Sequence, residues 1–90
     1  MSKDSRWMTE VESIEQLRDE LRVKAALLRA DLRDELATLE KQWANVEREI
    51  APVRDAVGTT VREVGASTTA LLRTLRAGYE RVRAAARSHA

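Results

Sequence analysis

One apolar stripe at helical spacing runs almost the length of this chain and limits what it can fold into. It reads Val11, Ile14, Leu17, Leu21, Ala25, Leu28, Leu32, Leu36, Leu39, Trp43, Val46, Ile50, and after Pro52 resumes as Val57, Val61, Val64, Thr68, Leu71, Leu75, Gly78, Val82, Ala85. Steps of three and four residues return a chain to the same helix face, so one long seam is offered to another helix. The expected class is all-α, built from long amphipathic helices.

Ninety residues make at most one domain, 1–90. A chain this short buries a modest fraction of its surface, and two helices have only one seam to share. Phe is absent and Trp7, Trp43 and Tyr79 are the only aromatics, so Leu, Val and Ala must supply most of the hydrophobic stabilisation. Oligomerisation is the usual remedy for one insufficient seam. The expected state is a homo-oligomer, dimer or tetramer, held by Leu21, Leu28, Leu32, Leu39, Trp43, Ile50, Val64, Leu71 and Leu75.

From Thr9 to Ile50 there is no Gly or Pro, and strong helix formers dominate. Thr9-Glu10-Val11-Glu12 reads as a capping box, with Ser13-Ile14-Glu15-Gln16 a second candidate one turn later. A helix over about 9–50 would be a rod of roughly 63 Å. Two successive steps of four at Leu28-Leu32-Leu36 form a stutter, which unwinds a coiled coil locally without breaking it. Val23 and Leu27 widen the apolar face, as a bundle of more than two helices would use.

Pro52 lacks an amide donor and disfavours helical angles at Ala51, so it predicts a break at about 50–53 and a second helix over about 53–87. Folding there makes a hairpin; without a turn it makes a kinked rod. Gly58-Thr59-Thr60 and Gly65-Ala66-Ser67-Thr68 offer further break points that would give three helices, the second resembling a helix stop followed by a cap. A hairpin turning near Ala51 places Trp43 opposite Gly58, Leu32 near Leu71 and Leu28 near Leu75. The expected architecture is therefore a long helical hairpin broken near Pro52, associating into a helical bundle, with Trp7 ahead of the first helix and the tail beyond Arg87 frayed.

Charge is divided unevenly. Residues 1–50 carry nine Lys/Arg and twelve Asp/Glu, and residues 51–90 carry seven Arg and three acids. Opposite charges suit two helices folded on each other, or a basic face kept for a partner. At 100° per residue Arg62, Arg73, Arg76, Arg83 and Arg87 fall on one side of the second helix. Guanidiniums pair with phosphate and carboxylate, so this is a candidate face for an anionic partner. The near-neutral whole chain and the lack of interleaved aromatics disfavour nucleic acid. An acidic protein or an anionic lipid surface is compatible.

Chemistry has little to work with. His89 is the single histidine and sits in the tail, with no paired nucleophile. Asp31, Asp34 and Glu35 form the densest acidic knot, but the inward Glu-x-x-His of bundle metal sites is missing. No Gly-rich phosphate loop is present. The sequence predicts no enzyme, no cofactor and no metal. There is no cysteine, which fits a reducing cytoplasm. The first residues, Met1-Ser2-Lys3-Asp4, lack the apolar core of a signal peptide, and no apolar run approaches the ~20 residues of a membrane span.

The stretch Leu71-Leu72-Arg73-Thr74-Leu75-Arg76-Ala77-Gly78-Tyr79-Glu80-Arg81-Val82-Arg83 resembles the end of short bacterial coiled-coil proteins of unassigned or stress-linked role. Those proteins share apolipoprotein-like charged amphipathic helices, and Leu17–Trp43 is similar in texture. The polar helices and scattered glycines are also similar to small stationary-phase proteins that hold ribosomes at the inner membrane, whose C-terminal membrane helix is missing here. The seam and the charged faces predict a non-enzymatic, self-associating structural or adaptor protein that presents those faces to a partner. The alternative is a peripheral protein coating a lipid or granule surface, with the apolar stripe inserted and Arg side chains at anionic headgroups.

Overall fold

The computed structural model of the protein describes residues 6–55 and 65–88. Among them are three α-helices and no strand: α1 (Arg6–Lys24), α2 (Ala30–Asp55) and α3 (Ala66–Ser88). A 3-10 turn at Ala25–Leu27 joins α1 to α2. The all-α helical bundle expected from the stripe is the fold observed.

Contacts fix the directions. Arg18 meets Glu40, so α1 and α2 run antiparallel around the turn. Thr68 meets Glu49, Tyr79 meets Glu40 and Arg81 meets Glu35, so α3 runs antiparallel to α2. Glu10 meets Arg76 and Glu20 meets Arg83, so α3 runs parallel to α1. The three helices form an up-down-up bundle of 46 × 22 × 21 Å.

The position of the break corrects the expected hairpin. The chain turns at residues 25–29, and what was read as one helix over 9–50 is two. Ala25, Ala26, Leu27 and Leu28 are good helix formers, so local propensity does not end α1. Packing does. A single rod of that length would have one partner along one seam, whereas here α3 packs against both α1 and α2, and Ile14, Leu21, Trp43, Ile50, Leu72, Leu75, Tyr79 and Val82 are enclosed almost completely. The turn has modest local support. Leu28 is extended (φ −77°, ψ 148°), Arg22 and Lys24 face the negative end of α1, and Asp31 lies in the first turn of α2.

Pro52 lies inside α2, three residues before its end, and does not start a new helix. Its missing amide and its ring cost an interior helix about 3 kcal/mol. Here the ring is exposed and sits past most of the helix, while burial of Val46 and Ile50 holds the adjoining turns in place. At the other end, α1 is already helical at Arg6. Thr9, Glu12, Ser13 and Gln16 therefore lie within the helix, and neither capping box marks its start. Trp7 is in the first turn of α1 and buried in the core instead of preceding the helix.

α3 begins where the Gly65-Ala66-Ser67-Thr68 cue suggested a cap. The Gly65 carbonyl accepts from the Thr69 amide at 3.0 Å and from the Thr69 hydroxyl at 3.2 Å. Its buried face keeps the expected stripe at Thr68, Leu75, Gly78 and Val82, with Ala85 partly buried, and departs from it at Leu71. Thr68, Leu72, Leu75, Tyr79 and Val82 face the core, with Ala86 packed against it, while Leu71 is 45% exposed. The helix is turned toward α1 because it sits in the groove between two helices. Gly78 remains buried on the α2 side, where a Cβ would lie 2.7 Å from Leu39 Cδ2. Leu39 on Gly78 is a large-against-small match; the expected match of Trp43 with Gly58 falls on Gly58, which lies outside the described residues.

Candidate functional site

The residues assigned to an oligomer seam are mostly covered by the chain's own helices. Leu21, Leu28, Leu32, Leu39, Trp43, Ile50 and Leu75 belong to one core cluster within a single chain. Leu71 does not join it; its neighbour Leu72 does. Val64 lies outside the described residues, as do Val57, Gly58, Val61 and His89. Among the described residues most of the apolar stripe is therefore enclosed within one chain.

Polar side chains concentrate in one node that all three helices build. Arg18 of α1 donates twice to Glu40 of α2, Nε to Oε2 and Nη2 to Oε1, both at 2.8 Å. The Tyr79 hydroxyl of α3 donates to Glu40 Oε2 at 2.7 Å. The Arg18 guanidinium lies over the Trp43 ring, 5.5 Å from its centroid. The fork matches a carboxylate bidentately, and the indole face accepts the cation. Arg18 holds the Glu40 carboxyl below its usual range, against the opposing effect of burial. Burial first and the Glu40 carboxylate second raise the Tyr79 phenol well above its ordinary value. Glu40 also raises the Arg18 guanidinium. Each group stabilises the protonation state in which it already binds its neighbours. That arrangement sets Arg18, Glu40 and Tyr79 level with one another across the three helices. The Trp43 indole N–H is buried with no acceptor among the described residues.

The arginine face divides. Arg76 Nε lies 3.2 Å from Glu10, Arg83 and Arg87 each lie 3.6 Å from Glu20, and Arg73 is exposed beside Thr9, Glu10 and Thr69. Arg62 lies outside the described residues. Arg76 and Arg83 flank the buried face of α3 instead of opposing it, so the acidic first half and the basic second half meet within the chain. Arg81, absent from the predicted face, reaches Glu35 of α2 at 2.8 Å.

Of the acidic knot, Asp31 pairs with Arg29 at 3.0 Å and accepts from the Leu32 amide at 2.9 Å, and Arg29 lowers its pKa. Glu35 is the Arg81 partner just described. Among the described residues no three His, Cys, Asp or Glu side chains are grouped to hold a metal ion. No described helix is long and apolar enough to cross a membrane.

Among the described residues the most exposed large apolar side chains lie at the end of the bundle that carries the α1–α2 turn. Val23 is 84% and Leu27 86% exposed, which overturns their expected place in a widened core face. Beside them a half-open cavity of about 290 Å³ is lined by Lys24, Leu27, Leu28, Arg29, Leu32, Ala86 and Arg87. Sequence reasoning missed this end because Val23 and Leu27 sit beside the apolar stripe on a helical wheel. Only the turn at Ala25 moves them out of the core. No protein-family model, no curated protein and no solved structure matches this chain.

Proposed function

We propose that this protein is a non-enzymatic structural or adaptor module that acts by binding, with a self-sufficient core and charged outer faces for a partner. The observation that supports this most is the Arg18–Glu40–Tyr79 node. Arg18, Glu40 and Tyr79, at partly buried positions, bind one another across three helices through three hydrogen bonds. Catalysis needs a group whose protonation state can change at the working pH, and this node is tuned the opposite way.

Self-association draws on outer faces, since Leu21, Leu28, Leu32, Leu39, Trp43, Ile50 and Leu75 of the seam pack inside one chain. The pairing of Arg76, Arg83 and Arg87 with carboxylates of α1 argues against a nucleic-acid role, because those cations already have intramolecular neighbours. A cysteine-free chain suits a reducing setting such as the cytoplasm.

Sedimentation velocity over a concentration series tests this reading. The expected result is a compact particle whose shape at the lowest concentration matches a folded three-helix chain. Any further assembly should weaken with salt, as contacts between charged faces do. An expanded monomer that compacts only on association would overturn it, because the seam would then serve a second subunit.

A further inference from the structure

Charge is handled differently on the faces of the bundle. α3 closes its arginines onto both other helices: Arg76 on Glu10, Arg83 on Glu20 and Arg81 on Glu35. α1 and α2 form a further face on the side away from α3. Its floor is neutral, because Arg18 and Arg22 act on Glu40, and Glu47 acts on Arg18. Its two edges are not. Glu12 and Asp19 are exposed along the outer ridge of α1, with Glu15 half-exposed beside them. Arg33, Lys41 and Arg48 are exposed along the outer part of α2, with Asp34 the one acid among them. Among the described residues Glu12, Asp19 and Lys41 form no ion pair within the chain, and Arg48 donates to Asn45. Inside the basic edge Ala30, Ala37, Ala44 and Ala51 recur every seven residues, so that strip of α2 stands low.

We propose that this face binds a second copy of the chain about a two-fold axis parallel to the helices, so that the acidic α1 edge of each copy lies on the basic α2 edge of the other. The proposal rests on the adaptor reading above and names its partner and its surface. Such an axis keeps every residue at its own height and sets α1 of one copy antiparallel to α2 of the other. Heights follow from the Arg18–Glu40 contact. Glu12 of one copy stands within about 3 Å, along the axis, of Arg48 in the other, and Asp19 within about 3 Å of Lys41. Symmetry repeats both pairs on the opposite rim. Met8, 41% exposed, falls level with Ala51, a large side chain on a small one. A two-fold perpendicular to the helices would instead lay α1 on α1 and α2 on α2, opposing acid to acid and base to base. A polyanion or an anionic bilayer would meet Glu12, Glu15 and Asp19 beside the cations, so the face suits only a surface carrying the same two blocks in reverse. Met8 to Ala26 spans about 27 Å and two helices about 20 Å, so each copy covers about 540 Å². That is less than the ~800 Å² per partner of a standard stable interface, so the dimer is weak and reversible. Its rim pairs are exposed, so salt weakens it.

Two charge-reversed variants of the full chain test this by sedimentation equilibrium at low salt. One carries Lys41→Glu and Arg48→Glu, the other Glu12→Lys and Asp19→Lys. The parent should dimerise. Each variant alone should dimerise at least roughly a hundredfold more weakly, because every reversal acts twice across the axis. An equimolar mixture of the two should recover the parent's affinity, since both edges of each variant then face opposite charge. All four sites are exposed, so thermal unfolding of the variants should match the parent and exclude misfolding as the cause. Ala44→Arg keeps the sign of the α2 edge and adds bulk to its low strip, so it should also weaken the dimer. The proposal is overturned if the parent stays monomeric at low salt, if either variant alone dimerises as the parent does, or if mixing restores nothing. A compact monomer that never pairs would sink this surface and leave the adaptor reading standing. An expanded monomer would sink that reading first, so the two fail separately.

Discussion

The hydroxyl of Tyr79 donates to Glu40 Oε2 at 2.7 Å, joining residues 39 positions apart and closing α3 onto the Arg18–Glu40 pair between α1 and α2. A node with one donor from each flanking helix defines which residue of α1 and which of α3 stand level with Glu40. Buried polar contacts of this kind select one register among several that leucines alone would permit.

Removing either donor should weaken the bundle unequally. Tyr79→Phe keeps the ring in the core and loses one hydrogen bond to a charged acceptor, at a cost of about 1.5–3 kcal/mol. Arg18→Ala takes away both hydrogen bonds and the contact with Trp43, and leaves Glu40 partly desolvated with Tyr79 as its remaining donor, so its cost should be the larger. Denaturant midpoints of the two single variants and the double variant check this. Strictly additive effects would show that the two donors do not share Glu40.

The same node sets a pH dependence with two limbs. Glu40 titrates lower in the folded chain than its ordinary value of about 4.3, chiefly through Arg18. Its contribution is complete above that pH and is lost as pH falls through the folded pKa, because protonation then competes with the ion pair. Tyr79 titrates higher folded than unfolded, chiefly through burial. Its contribution is complete below pH ~10 and declines as pH rises further, since only the unfolded phenol ionises there. Thermal melts across pH should show the acid limb reduced in Glu40→Gln and the alkaline limb reduced in Tyr79→Phe.

Gly78 and Leu39 form a size-matched pair between α2 and α3, with an added Cβ falling 2.7 Å from Leu39 Cδ2. Gly78→Ala gains helix propensity of about 1 kcal/mol but must displace a leucine that is itself buried. We expect a net loss of about 1 kcal/mol in the parent and a gain of about 1 kcal/mol once Leu39→Ala has made room. The sign change between the two backgrounds, read from chemical denaturation, is the test.

Neighbouring leucines on α3 separate the observed register from the one its stripe suggests. Leu72→Ala should cost about 2–5 kcal/mol, as for a fully enclosed leucine. Leu71→Ala, at a site 45% exposed, should cost under about 1 kcal/mol. Reversed magnitudes would mean that α3 packs with its other apolar edge inward.

The sequence alone determined that the chain is helical and which faces of its first fifty residues turn inward. Val11, Ile14, Leu17 and Leu21 in α1 and Leu32, Leu36, Leu39, Trp43, Val46 and Ile50 in α2 are all buried. Their three-and-four spacing survives any choice of partner, because it depends only on helix geometry. The sequence places the second helix from about residue 53 and offers Gly65-Ala66-Ser67-Thr68 as one of two further break points; α3 spans Ala66–Ser88. Tertiary structure decided the rest. No residue between Ala25 and Ala30 forbids a helix, so the turn there follows from the extra seam that three helices gain over two. The rotation of α3 follows from the groove it enters, because Leu71 and Leu72 are equally apolar and only contact with α1 and α2 distinguishes them. The exposure of Val23 and Leu27 follows from the turn itself: two residues beside a core stripe become the tip of the bundle once the helix ends beneath them.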